Sequence, residues 1–565
     1  MNTIHEQFID QLHAHGFTGE ISNDQSDCAE HATDESIFSI TPELVIYPKN
    51  VSDVQLAVNI ADKYSTPQTP IHLTARAAGT GLSGGSLNNS VIINTTRHCN
   101  QIHSVTLYDN EHDAYILIET DPGVMYRDLE MVMDPHTMYI PSLPASKDIC
   151  TIGGMVGNNA AGPDTFSYGH TAAYVTSMDV VLSDGNIYTI RPLSWKEFQH
   201  EMKRDDLLGV IYRHVWGLLL HDEESILHAR PKTAKNSAGY ALWDVISTTV
   251  EEFMKGRGVF DLTQVITGSQ GTLGIITKLT VKAVPKTNDS HLLTIPIFDL
   301  DTVGDIIKTM TEKKPVSIEL FDGPTYQAAL DNPEFFKNRI DAKIYKKTIS
   351  YLPWIYRKRL KKQLPHFILL VTMNSKETSD INQEVVSLNE QFNVTAWHAQ
   401  KTLEQDMLWA VRRASYSLSK LVDINKRPAA FLEDMTVEPH QIGPFFSAIE
   451  QLFAQYKVQA YVHGHGGNGH LHFYPLLDFT DPKTADLIPK MAEDFFNAAT
   501  GLGGNICGEH NDGIIRTPYL DKMFDPHTLE IFRQLEHVCD PHDIFNPGKK
   551  VNPRFTIRKN IRHTN

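Results

Sequence analysis

The five cysteines of this 565-residue sequence, Cys28, Cys99, Cys150, Cys507 and Cys539, are odd in number and widely spaced, and no CxxC pair occurs. That pattern excludes a disulfide framework, and it excludes an iron–sulfur cluster held by this chain, which needs grouped thiolates. No apolar run reaches the roughly 18–20 residues of a membrane-spanning helix. The opening MNTIHEQFIDQLHAHGF has no apolar signal core, so the expected compartment is the cytoplasm. Positive charge is in deficit. A formal net charge of -17 rules out a general nucleic-acid binder, which needs a basic face. Internal repeats and low-complexity tracts are also missing. What is present is ordinary for a globular chain, 41% hydrophobic and 21% charged, and long enough for two or three domains.

Patterning divides the chain. Residues 1–36 read as a short helix and an acidic lead-in. From residue 37 to 287 short β-rich runs alternate with helical spacing: LVIYP is followed by VSDVQLAVNIADKY behind a serine cap, and VTSMDVVLSDGNIYTI reads as a hairpin turning at Asp184-Gly185. Residues 288–480 form a second unit, with LLTIPIF, VSIELF, HFILLVTM and QAYVHGHG as strands. Residues 481–565 look helical before a turn-rich end. The class is α+β.

Three small-residue stretches fall in the first unit. Arg76-Ala77-Ala78-Gly79-Thr80-Gly81-Leu82-Ser83-Gly84-Gly85 lies between two strands, and its backbone N–H groups can cradle a pyrophosphate. The plainer reading is a bulged hairpin loop. A Rossmann loop is disfavoured, because GxGxxG should lead into a helix and this one leads into VIINTT, a strand. Thr151, Gly153, Gly154, Asn158, Asn159 and Gly162 form the second stretch, and Gly268 to Gly274 the third. Three such loops in one domain share a cause if they wrap a large dinucleotide-like cofactor.

In the second unit, Val462 to His472 carries four histidines. If Gly466-Gly467-Asn468-Gly469 closes a hairpin, the period of two puts His463, His465, His470 and His472 on one face, a natural metal site. A catalytic site keeps an open position, so about three protein ligands are expected. Downstream, Gly508-Glu509-His510-Asn511-Asp512-Gly513 offers a carboxylate with a histidine beside it.

The series RAAGTGLSGG, PASKDICTIGG, NNAAG, YGH, VVLSDG and GSQGTLGIIT resembles the FAD-binding domain of the PCMH/vanillyl-alcohol oxidase superfamily, in the branch of D-lactate dehydrogenases, glycolate oxidase subunits and D-2-hydroxyglutarate dehydrogenases. ATDESIF, RHCNQI and FLEDMTV are similar to long bacterial members that fuse this unit to an iron–sulfur half. The likeness runs over roughly residues 30–555. Ala77 and Ala78 stand where glycines are usual, Gln270 where Glu is usual, and Ala161 where Gly is.

The resemblance implies a PCMH-type FAD-binding domain, a ferredoxin-like substrate domain and a helical C-terminal cap. It implies FAD contacts from Arg76, Ala77, Ala78, Gly79, Thr80, Gly81, Ser83 and Gly84, from Thr151, Gly153, Gly154, Asn158, Asn159 and Gly162, and from Pro144, Ser146, Gly274, Ile275, Ile276 and Asn546. It implies one divalent metal (zinc, manganese or iron) on His465, His472 and Glu509, with His510 as base. In that motif Asn468 replaces an aspartate, His470 an asparagine and Asn511 a glycine. Trp409-Ala-Val-Arg412 is similar to the family's W-x-x-R, which makes Arg412 the clamp for a substrate carboxylate; Lys426 or Arg427 would add a second charge.

The implied activity is oxidation of a D-2-hydroxy acid. The Cys-rich half of the long relatives is not in this sequence, so electrons would pass to a quinone, another protein or oxygen. The same scaffold also serves alkyl-dihydroxyacetone-phosphate synthases, which are transferases, and flavin subunits of larger oxidases. One segment stands apart. Between Lys337 and Lys362 there are ten Lys/Arg and one acid, Asp341, interleaved with Tyr345, Tyr351, Trp354 and Tyr356. It reads as a solvated insertion or as a peripheral membrane contact, with Pro353 expected to break any helix into two short pieces or a loop.

Overall fold

The structure, a computed structural model, describes residues 3–109, 114–286, 290–337, 339–374 and 378–563. Its first sheet pairs Leu44–Tyr47 and Leu73–Arg76 in parallel with Val91–Asn94, with Glu20–Ser22 on the edge. Because Leu73–Arg76 and Val91–Asn94 run parallel, the glycine-rich segment between them is a crossover and not the hairpin loop of the plainer reading. The helix Val51–Tyr64 covers this sheet. Its cap is Asn50, whose side chain accepts from the Asp53 N–H, so the expected serine cap is replaced by its neighbour but one.

A second, antiparallel sheet is built from Ile102–Asp109, Ala114–Thr120, Ile275–Pro285, Val175–Val181 and Ile187–Ile190. The last two form the expected hairpin, with Gly185 at φ 71°. The domain boundary expected at residues 287/288 falls on residues outside those described.

The third sheet has eight antiparallel strands. Trp397–Ala399, Ser290–Ile297, Phe367–Asn374 and Ser317–Asp322 lie side by side in that order, the 4-1-3-2 arrangement of a ferredoxin-like half. Ala460–His465 extends it beside Ser317–Asp322, and His470–Leu477 follows. The strand Leu432–Thr436 closes over His470–Leu477. Helices Lys483–Thr500 and Pro526–Cys539 form the C-terminal cap.

The chain end then returns to the first domain. Phe545 bridges Leu73, and the Asn546 amide donates to the carbonyls of Gly85 and Gln270 (2.8 and 2.7 Å). The cap therefore belongs structurally to both halves. Among the described residues no helix is long and apolar enough to cross a membrane.

The basic segment departs from expectation. Ala342–Lys358 is one helix running through Pro353. Leu352 and Ile355 are fully buried against the helix Thr402–Ser419, and that burial holds the helix together across the missing donor. Pro353→Ala should therefore stabilise the protein, by up to about 3 kcal/mol, because it restores a backbone donor inside an existing helix. Urea unfolding measures this; an unchanged or lowered midpoint would mean the helix is interrupted there.

Candidate active site

The glycine-rich crossover, the stretch around Thr151–Asn158 and the loop at Gln270–Gly274 line one cleft. Arg76, Ala77, Ala78, Gly79, Thr80, Gly81, Ser83, Thr151, Gly153, Gly154, Asn158, Gly274 and Ile276 are on its wall, as are Gly157 and Gln270, which the sequence reading did not select. The backbone N–H groups of residues 77–83 find no acceptor among the described residues, which suits a cradle for phosphate oxygens. Arg76 turns beneath the loop and donates to the carbonyls of His31 and Thr33.

The remaining candidates sit behind the wall. Gly84 packs on Phe38 and Ile514, and Gly162 lies against the Leu143 carbonyl. Asn159 is a left-handed helix cap whose side chain accepts from Ala172 N–H, and Ile275 is buried in the core. Asn546 pins two loops from behind, and Pro144 and Ser146 are half-buried in the next loop.

Two substitutions tie this cleft to the C-terminal segment. Gln270, at φ 54°, donates to Ser83 Oγ and Asn158 Oδ1 and accepts from Gly513 N–H. An ionised glutamate would have no proton for the first two bonds. Asn511, at φ 69°, keeps the left-handed backbone a glycine would adopt and donates to Gly268 and Asn158 carbonyls.

Beyond Asn511 lies the histidine hairpin. His463 pairs across it with His472, and His465 with His470, so all four rings share a face. His465, His470, His472 and Glu509 bring one ligand atom each within 4.8 Å of one another. Each of these imidazoles is tethered by its other nitrogen. His465 Nδ1 donates to Glu319 Oε1 (2.6 Å), His472 Nδ1 to the Glu433 carbonyl, and His470 Nε2 to Asp434 Oδ1 (3.0 Å). This is how metal-binding histidines are oriented.

The lone-pair nitrogens of His465 and His472 then face Glu509 Oε1 at 3.1 and 3.4 Å. With no proton on those nitrogens, a lone pair opposite a carboxylate oxygen is repulsive unless a cation lies between, and the donor set fits a divalent ion. Burial drives His470 and His472 well below the usual imidazole range, which keeps them neutral. His463 is equally depressed by burial, but its ring stacks on Tyr474.

Burial pushes the Glu509 carboxyl up, yet Lys235 and the flanking histidines outweigh it and hold the group well below its ordinary value. Lys235, fully buried and paired with Glu509 Oε2, comes from the first domain. No motif marked it beforehand. Glu319, 146 positions from His465, was equally silent.

His510 is the open member of the group, its side chain 20% exposed. Its Nδ1 lies 3.3 Å from Glu433 Oε1, leaving Nε2 free toward the site, 3.6 Å from Glu509. Burial pulls its pKa down, but Asp434, Glu433 and Glu509 raise it on balance. Glu433 is itself clamped by the buried Arg516.

Arg412 is 2.7 Å from Glu319 Oε2 and donates to the Gly464 carbonyl, with Nε unpartnered. Lys426 is an exposed partner of Asp423, whereas Arg427 has no carboxylate partner among the described residues and lies over the Phe479 ring.

Two domain families match this architecture. Residues 42–191 match the FAD binding domain family and residues 287–550 the C-terminal domain of FAD linked oxidases. Together they span most of the chain, which carries an FAD binding domain followed by an FAD linked oxidase C-terminal domain. It is 25% identical to the D-2-hydroxyglutarate dehydrogenase of Escherichia coli over 97% of its own length and 52% of that protein's. The chain thus spans about half the length of that relative. It is 26% identical to a glycolate oxidase subunit of Bacillus subtilis, covering 91% of this chain and 89% of the other. In fold it is similar to 4-ethylphenol oxidase from Gulosibacter chungangensis, with a TM-score of 0.64 at 16% identity and 97% of each chain covered.

The cleft makes a direct prediction. A Cβ on Gly157 would meet nothing within 4 Å, so Gly157→Leu would project into the space the cofactor needs. The variant should fold, by circular dichroism, yet purify with much less flavin absorbance than the parent.

Proposed function

We propose that the protein oxidises a D-2-hydroxy acid to its 2-oxo acid, using FAD and one divalent metal, and passes the electrons to a quinone or a protein acceptor. The observation that supports this most is the direct tie between the dinucleotide cleft and the histidine–glutamate group, through Asn511, Asn158 and Gln270. Bound FAD supplies the acceptor for the hydride leaving C2. His465, His472 and Glu509 would hold a metal, which lowers the pKa of a ligated hydroxyl.

The chain's own groups do the rest. His510 Nε2 accepts the hydroxyl proton, with Nδ1 anchored on Glu433 so that the lone pair faces the substrate. Arg412, with Nε unpartnered, is assigned the substrate carboxylate, and Arg427 the second charge. Arg412 has a further task, since its loss leaves the buried Glu319 carboxylate with only the His465 N–H and no full cation beside it. Arg412→Ala should therefore lower kcat/KM and also destabilise the fold, by roughly 3–5 kcal/mol.

Anaerobic addition of D-lactate or D-2-hydroxyglutarate should bleach the flavin, and a substrate panel with a dye acceptor identifies the acid. Chelation should abolish turnover with FAD retained, and His465→Ala, His472→Ala and Glu509→Ala should each reproduce that loss. His510→Ala should lose about 10²-fold or more in rate while metal content is kept. If no 2-hydroxy acid reduces the flavin, the assignment fails.

The basic helix supports a second element of the proposal, docking on an anionic membrane. Trp354 is 36% exposed and stacks on Tyr351, while Lys358, Arg359, Lys361 and Lys362 are exposed around it. Cations near an anionic bilayer add about 1 kcal/mol each, and Trp and Tyr suit the interface. Flotation with anionic vesicles should be salt-sensitive and lost when those four cations become Gln. Absence of binding at low salt would leave the helix as a solvated insertion.

A further inference from the structure

We propose that His470 is a fourth protein ligand of the metal, so that the site takes a five- or six-coordinate ion such as manganese(II) or iron(II) rather than zinc. This rests on the metal centre proposed above and adds its donor count and preferred ion. His470 stands where the motif it resembles carries asparagine, so the three-ligand expectation did not include it.

The ring is fully buried and Nδ1 has no hydrogen-bond partner; His463 Nδ1 shares that lack, but it is His470 that converges with His465, His472 and Glu509. The tautomer follows from Asp434. Its Oδ1 already accepts the Glu509 N–H and its Oδ2 the His510 N–H, so at 3.0 Å His470 Nε2 is the donor. The Nδ1 lone pair is therefore free, and it lies 3.9 Å from Glu509 Oε2. Donors held about 2.0–2.2 Å from one ion lie roughly 3–4.4 Å apart. The observed spread of up to 4.8 Å closes with a shift of a few tenths of an ångström.

Four protein donors fill a tetrahedral zinc, the arrangement of structural sites, whereas a catalytic zinc keeps one position open. A hydroxy acid binding through its hydroxyl and carboxylate oxygens would bring the count to six. Mixed imidazole and oxygen donors in that number suit manganese or iron.

The test uses metal-stripped, FAD-loaded protein titrated with Co²⁺, following the cobalt absorption bands to the red of the flavin and the dissociation constant by calorimetry. The parent, with substrate or the 2-oxo acid present, should give the weak bands of high coordination. His470→Asn should shift the bands and bind Co²⁺ at least 10-fold more weakly, with flavin content and metal-free melting temperature unchanged. It should also raise the turnover that Zn²⁺ supports relative to Mn²⁺. His470→Gln should behave as His470→Asn does. If Co²⁺ binds the parent and is lost in His465→Ala, but the spectrum and affinity of both His470 variants match the parent, His470 is no ligand and the three-ligand centre stands. If the parent binds no Co²⁺, the metal centre and this proposal fall together.

Discussion

Glu509 is the group on which both halves of the protein converge. One oxygen is held by Lys235 of the first domain, and the other faces His465 and His472 of the second. A buried carboxylate is costly unless it is paired on every side. Its neighbours therefore cannot move independently, and the register of the hairpin, the path of the chain through Lys235 and the position of His510 are set together. A cation among those rings would complete the same balance, and would then couple domain packing to the proposed metal chemistry.

The strand Leu432–Thr436 carries the next layer of constraint. Two consecutive side chains and one carbonyl from it orient three histidines: Asp434 holds His470, Glu433 holds His510, and the Glu433 carbonyl holds His472. Asp434 also receives the N–H groups of Glu509 and His510, so the segment Gly508–His510 is fastened to the same strand. Arg516 keeps Glu433 ionised within this buried layer. Preorganisation of this kind lets a reacting group be positioned without reorganising its surroundings.

The departures from the family pattern take on physical roles in this setting. Gln270 bridges three loops because an amide both donates and accepts. Asn511 keeps a left-handed backbone while its amide reaches the flavin-side loops. These positions lie where the two regions meet, so each substitution changes how the cleft and the histidine–glutamate group are joined.

Much of this was legible in the sequence. The alternation of His463, His465, His470 and His472 around a glycine turn needed only the period of a strand to place four rings on one face. The small-residue loops announced a large ligand through the close backbone approach they allow. The α+β class and the order of elements followed from the switch between periods of two and 3.6. Sequence could not show which nitrogen of each histidine points inward, because that is decided by Glu319, Asp434 and the Glu433 carbonyl, distant in the chain and brought near by strand pairing. It could not show Lys235, a lone lysine in a polar stretch, nor that the glycine-rich loop joins parallel strands. Pro353 marks the same limit. Local chemistry forbids a helix there, and only the burial of Leu352 and Ile355 against a neighbouring helix overrules it.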